Sequence, residues 1–156
     1  MSLTPVVSST RGPEYPYEIA YSGIIRHGFT SSGVLGVNAH ISVWFKRIGE
    51  LDLTKTLSRV NKYYHVDIIK TGGTVTVSVD GAAPSAYSGT IGTVAHNLLE
   101  NVLSSLGGSD GYYADLRFID GADSTRFWAP SAWTPGTIVP RNPSGVSYGT
   151  NGAWLT

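Results

Sequence analysis

Tyr63-Tyr64-His65-Val66-Asp67-Ile68-Ile69-Lys70-Thr71-Gly72-Gly73-Thr74-Val75-Thr76-Val77-Ser78-Val79-Asp80-Gly81 is the stretch that decides the fold. Val75, Val77 and Val79 alternate with Thr74, Thr76 and Ser78, the two-residue period of a strand with one apolar face. Tyr64, Val66 and Ile68 alternate likewise against His65 and Asp67, predicting a strand over 63–70. Gly72-Gly73 between the two runs predicts a two-residue hairpin turn, and Asp80-Gly81 a second turn directly after it. The pair therefore reads as an antiparallel hairpin with its valines turned inward.

Further strands flank this hairpin. Over 38–46, Ile41, Val43 and Phe45 share one face against Ser42, Trp44 and Lys46, and a strand over 112–119 ends at Asp120-Gly121. Tyr64 and Phe118 read as core residues. Val94, Leu98, Val102 and Leu106 recur every four residues before Gly107, which predicts a short amphipathic helix capped by Thr93 and Gly107. Its second half, 101–106, reads equally well as a strand. Residues 1–18, rich in Pro, Ser and Tyr, predict an extended arm. Pro130, Pro135, Pro140 and Pro143, interleaved with Trp128, Trp133, Tyr148 and Trp154, predict an extended tail over 126–156. Between them, 19–125 is expected to form one all-β domain, an antiparallel sandwich of two sheets.

Composition narrows the function classes. With 156 residues the chain is the size of one domain, and 11 basic residues balance 11 acidic ones. No basic footprint marks a nucleic acid or an anionic membrane as partner. Zero net charge favours a protein that lives in an assembly. There is no cysteine, so disulfides and thiolate metal sites are excluded. No apolar run approaches the roughly 18 residues of a membrane span, and Met1-Ser2-Leu3-Thr4-Pro5 has no signal-peptide character, so synthesis in a cytoplasm is expected.

Catalytic constellations are sparse. In strand geometry Glu50 and Asp52 would project from one face about 7 Å apart, the type of carboxylate pair a retaining glycosidase uses. They resemble the Glu-x-Asp-x-x-Glu strand of a jelly-roll glycoside hydrolase family, but Lys55 stands where the second glutamate is needed. Without it no acid protonates the leaving group, and a solvated turn is the preferred reading. His27, His40, His65 and His96 show no metal-ligand spacing and read as surface or half-buried residues. No Gly-x-Ser-x-Gly elbow occurs, and Gly72-Gly73 precedes a strand where a phosphate loop needs a helix. Asp80, Asp110, Asp120 and Asp123 sit at predicted turns and are weak candidates for calcium; no other cofactor is expected.

Several stretches resemble the laminin-G-like, concanavalin-A-type domains of bacteriophage virion proteins. Ile41-Ser42-Val43-Trp44-Phe45-Lys46-Arg47 is similar to their first core strand, and 63–81 to their "W-x-H-V … G-x-V-x-L-Y-V-D-G" hairpin. Gly111-Tyr112-Tyr113-Ala114-Asp115-Leu116-Arg117-Phe118-Ile119-Asp120-Gly121 resembles their last long strand. Trp128-Ala129-Pro130 followed by Ser147-Tyr148-Gly149-Thr150-Asn151-Gly152 resembles the "W-x-P … S-Y-G-T-N-G" extension of the phage members. Between the first strand and the hairpin lie only residues 48–63, where the family has two or more further strands. The resemblance thus implies a reduced version of the domain or a piece of one.

It also implies a jelly roll and a non-catalytic virion component: a fibre, tail appendage or capsid-surface decoration. Expected partners are other virion proteins, further copies of the chain and, in a lectin-like alternative, a host-surface glycan. A glycan hydrolase is the third and weakest reading. Tyr15, Tyr17, Trp128, Trp133, Tyr148 and Trp154 offer large apolar area at low entropic cost and are the expected interface anchors. The termini, and not the sandwich, are expected to make the assembly contacts.

Overall fold

The computed structural model describes residues 33–155. The expected arm over 1–18, with Tyr15 and Tyr17, lies outside them, as does His27. In chain order the elements are β1 (Asn38–Arg47), β2 (Tyr64–Thr71), β3 (Thr74–Val79), β4 (Ser85–Tyr87), α1 (Ala95–Leu106), β5 (Gly111–Asp120), β6 (Trp128–Pro130), β7 (Ile138–Pro140) and β8 (Ala153–Leu155). Six strands form one antiparallel sheet in the order β4-β3-β2-β1-β5-β8, and β6 pairs with β7 in a separate ribbon. The chain is thus mostly antiparallel β-sheet with one short helix.

The hairpin forms as its pattern requires. Thr71 pairs with Thr74 across the turn, and Gly72 takes φ 60° where an L side chain would be strained. At the next turn both central residues, Asp80 and Gly81, have positive φ (53° and 73°), closed by the Ala82 N–H donating to the Val79 carbonyl. Asp80 also continues the ladder: its Oδ1 accepts from the His65 N–H at 2.8 Å and its own N–H donates to the His65 carbonyl.

One face of the sheet carries the core. Ile41, Val43, Phe45, Val66, Ile68, Val75, Val77 and Phe118 join Leu98, Leu99, Val102 and Leu103 of α1 in a single buried cluster. Each fully buried Leu or Val there stabilises the fold by about 1.5–3 kcal/mol. A two-sheet sandwich was the expectation; among the described residues this face is covered by α1 instead. The reason lies in spacing: Ala95, Leu98, Leu99, Val102 and Leu103 follow the helical i, i+3, i+4 pattern, so 101–106 continues the helix and is not a strand. Gly107 ends it, with the Gly108 N–H donating back to the Leu103 carbonyl. Thr93 does not cap the start: Val94 occupies that position without a side-chain hydrogen bond.

The stretch 126–156, expected to be extended, contributes three strands among its described residues. β8 pairs with β5 (Arg117 opposite Trp154), which makes it the edge strand of the main sheet. The prolines do not exclude a ladder either. Pro130 and Pro140 occupy the ends of the short β6–β7 ribbon, where a missing N–H costs little.

Candidate functional site

The sheet face opposite the aliphatic core is buried as well, and it is polar. Register sets Ser42 opposite both Asp67 and Arg117, and Trp44 opposite His65 and Ala114. A bulge at Asp115, the only non-glycine residue besides Asp80 with positive φ (52°) among those described, shifts β5 against β1 between Ser42 and Trp44. The outcome is a band of ionisable and aromatic side chains across three strands.

Two hydrogen-bonded groups make up the band. In the first, His40 Nε2 lies 2.7 Å from Asp67 Oδ1 and its Nδ1 3.2 Å from Asp123 Oδ1. His65 Nε2 lies 2.9 Å from Ser42 Oγ, and His65 Nδ1 3.5 Å from Asp67 Oδ2. Ser42, His65 and Asp67 therefore stand in the order of a hydrolase triad. Ser42 is 1% and His65 0% exposed, which encloses the hydroxyl within the fold, and His65 Nδ1 makes no hydrogen bond.

Burial lowers the His65 pKa below its ordinary value, against the opposing pull of Asp67. Because the folded-state value is depressed, the unfolded chain binds the proton first, and stability must fall as pH drops below about 6.5. The slope attributable to this one group is at most about 1.4 kcal/mol per pH unit. Urea titrations of the protein and of His65→Gln between pH 7 and 5 measure it, the variant being expected to lose that increment of acid sensitivity.

In the second group Arg117, 1% exposed, ties the tail to the sheet. Its Nη2 donates to both Asp115 oxygens (3.1 and 3.2 Å) and to Asn142 Oδ1 (3.3 Å), and its Nη1 to the Tyr148 hydroxyl (3.0 Å). The guanidinium carbon sits 4.2 Å from the Phe127 ring centroid and 4.1 Å from that of Trp154. Trp154 Nε1 donates to Asp115 Oδ1 at 2.6 Å, and the Trp154 and Tyr148 rings stack.

Beside this group a cleft of about 660 Å³ opens between the 120–126 and 141–149 loops. Asp120, Asp123, Ser124, Arg126, Arg141, Ser144 and Ser147 are among its lining residues. Both carboxylates are already engaged. Asp123 accepts from the Thr125 N–H (2.8 Å) besides its contact with His40, and Asp120 Oδ2 accepts from the Asn151 backbone and side-chain N–H groups (3.2 and 3.1 Å).

The sequence-derived candidates fall in different places. Tyr148 and Trp154 are spent on Arg117, and Trp128 stacks under Arg126 (3.9 Å) and against Gly81, whose position leaves no room for a Cβ beside the indole. Trp133 alone of the described anchors stands free, 75% exposed, in the loop between β6 and β7 where Ser131 Oγ accepts from the Trp133 and Thr134 N–H groups. Asp80 pairs with Lys62 at 2.8 Å, and Asp110 is exposed. Among the described residues no three His, Asp or Glu side chains converge as metal ligands.

Glu50 and Asp52 lie in a loop, not on a strand. The Thr54 hydroxyl and N–H donate to Asp52 Oδ1 and hold its carboxyl below the usual range, the wrong direction for an acid. Arg47 fixes this loop through the carbonyls of Glu50, Leu57 and Ser58.

Reading along the chain missed the buried histidines and Arg117. His40-x-Ser42 and His65-x-Asp67 alternate as a solvated strand face does, and only the strand pairing brings them together. No family model matches the chain, and neither a curated protein nor a solved structure does. Among the described residues no helix is long and apolar enough to cross a membrane.

Proposed function

We propose that the chain is a non-catalytic structural component of a bacteriophage particle (a fibre, tail appendage or capsid-surface decoration) and that its sheet descends from a laminin-G-like jelly roll. What supports this reading is the task of the residues that carry the resemblance. Tyr148 and Asn151 of the Ser147-to-Gly152 motif bond Arg117 and Asp120 of the Gly111-to-Gly121 motif, and the Tyr148 carbonyl accepts from the Asp120 N–H. A Cβ on Gly149 would collide with the Asp120 carbonyl, and one on Gly152 with the Tyr148 and Phe118 carbonyls, so these glycines let two backbones touch. The motifs thus interlock as a joint between tail and sheet, a mechanical role.

Trp133 is the contact this reading assigns to the rest of the particle or to further copies of the chain. The chain should co-purify with particles at fixed stoichiometry. Trp133→Ala should lower incorporation at least about tenfold while leaving the melting temperature unchanged. Absence from purified particles overturns the proposal, and so does polysaccharide turnover that disappears in Glu50→Gln. A second reading, a lectin-like module for a host-surface glycan, is favoured by the polar cleft.

A further inference from the structure

The cleft between the 120–126 and 141–149 loops is lined by two carboxylates that accept hydrogen bonds from the protein and by two guanidinium groups without an ion-pair partner among the described residues. Its volume, about 660 Å³, lies within the range of small-ligand sites. The carboxylates that line it, Asp120 and Asp123, are engaged by Asn151, Thr125 and His40. The two guanidinium groups are not neutralised: among the described residues neither Arg126 nor Arg141 has a carboxylate within ion-pair distance.

Both arginines are nevertheless held in place. The Arg126 guanidinium carbon lies 3.9 Å from the Trp128 ring centroid, a cation–π contact that leaves its N–H donors without a hydrogen-bond partner among the described residues. Arg141 Nη1 donates to the Arg126 carbonyl at 2.7 Å, which ties the second cation to the backbone of the first. The Ser124, Ser144 and Ser147 hydroxyls add donors and acceptors around them. A planar fork with free edges, fixed by stacking, suits a carboxylate or phosphate, and surrounding hydroxyls suit a polyol body.

We infer that this cleft binds an acidic saccharide, with Arg126 and Arg141 holding its oxyanion and the loop serines its hydroxyls. The inference rests on the lectin-like reading and narrows it to one charge class. The oxyanion is the shared chemistry of two surface polymers, a uronic-acid carboxylate or a polyol phosphate.

Calorimetric titration of the full chain with trigalacturonate, glycerol 3-phosphate and maltotriose tests it at low and high salt. One of the two anions is expected to bind, at least about tenfold more tightly than maltotriose, and to weaken as salt rises. Trigalacturonate as the tighter ligand assigns the carboxylate source, and glycerol 3-phosphate the phosphate source. Arg126→Gln is the decisive variant, because that guanidinium makes no hydrogen bond to the described protein and its loss should spare the melting temperature. It is expected to weaken the anion about tenfold or more, and Arg126→Lys to recover only part of that loss. Maltotriose binding as tightly as the anions overturns the acidic inference and leaves the lectin-like reading standing. Absence of binding by all three probes overturns both, as unchanged anion affinity in Arg126→Gln overturns the assigned site.

Discussion

Arg117→Ala should lose about 3–5 kcal/mol of stability, the cost of removing one partner from a buried charge pair. Three consequences add up at this position. Asp115 would keep only the Trp154 indole as a side-chain donor among its described contacts, the Tyr148 hydroxyl and Asn142 would lose their cation, and a void would open between the Phe127 and Trp154 rings. Since those groups bind the tail to β5, the loss should concentrate there. Hydrogen exchange at residues 153–155 is expected to accelerate by more than that of β1 or β2, and urea unfolding gives the total. Arg117→Met keeps much of the volume and should fall between the two, because packing is recovered while the bonds are not. Equal exchange rates in β8 of the variant and the parent would show that the tail is held by other means.

Val66→Asp should abolish folding at neutral pH. Val66 is fully buried at the centre of the sheet, paired with Val43 on one side and Val79 on the other. A carboxylate there has no cation or donor in reach of the aliphatic cluster, and an uncompensated buried charge costs at least about 3–5 kcal/mol. That sum is comparable with the whole stability margin of a domain this size, about 5–15 kcal/mol. Circular dichroism and a melting curve check it. The opposite face offers the contrast: Thr76→Asp, half-buried on β3 but outside the core cluster, should cost about 1 kcal/mol, the span of strand propensity. A folded Val66→Asp protein with a normal melting temperature would mean that the valine face is not the core.

Much of the sheet is legible along the chain because strand identity is a local property. The alternation in 63–81 and the two turn pairs define β2, β3 and their connection without reference to anything distant. The same holds for β1 and β5, whereas the spacing over 101–106 leaves α1 open between helix and strand until its leucines are seen in the core. The cleft was not legible in that way. Asp120 ends β5 while Asp123, Arg126 and Arg141 come from segments with no periodicity of their own; the β6–β7 pairing sets Arg141 beside Arg126, and Tyr148 and Asn151 bond back to β5 and its end.

What the sequence by itself determined is therefore strands β1, β2, β3 and β5, the apolar faces of the first three, the hairpin turns and the absence of cysteine chemistry, all consequences of residue type and short-range spacing. The tertiary structure decided three things that spacing does not encode. Helix α1, not a second sheet, covers the apolar face among the described residues, because its leucines fit the same cluster as the valines of β3. The tail becomes the edge of the sheet, because a buried guanidinium on β5 holds its aromatics. His40, Ser42, His65 and Asp67 form a closed network, because antiparallel register sets β1 against β2 at those positions. Each is a contact between residues far apart in the chain, whose free energy depends on burial that only the assembled fold creates.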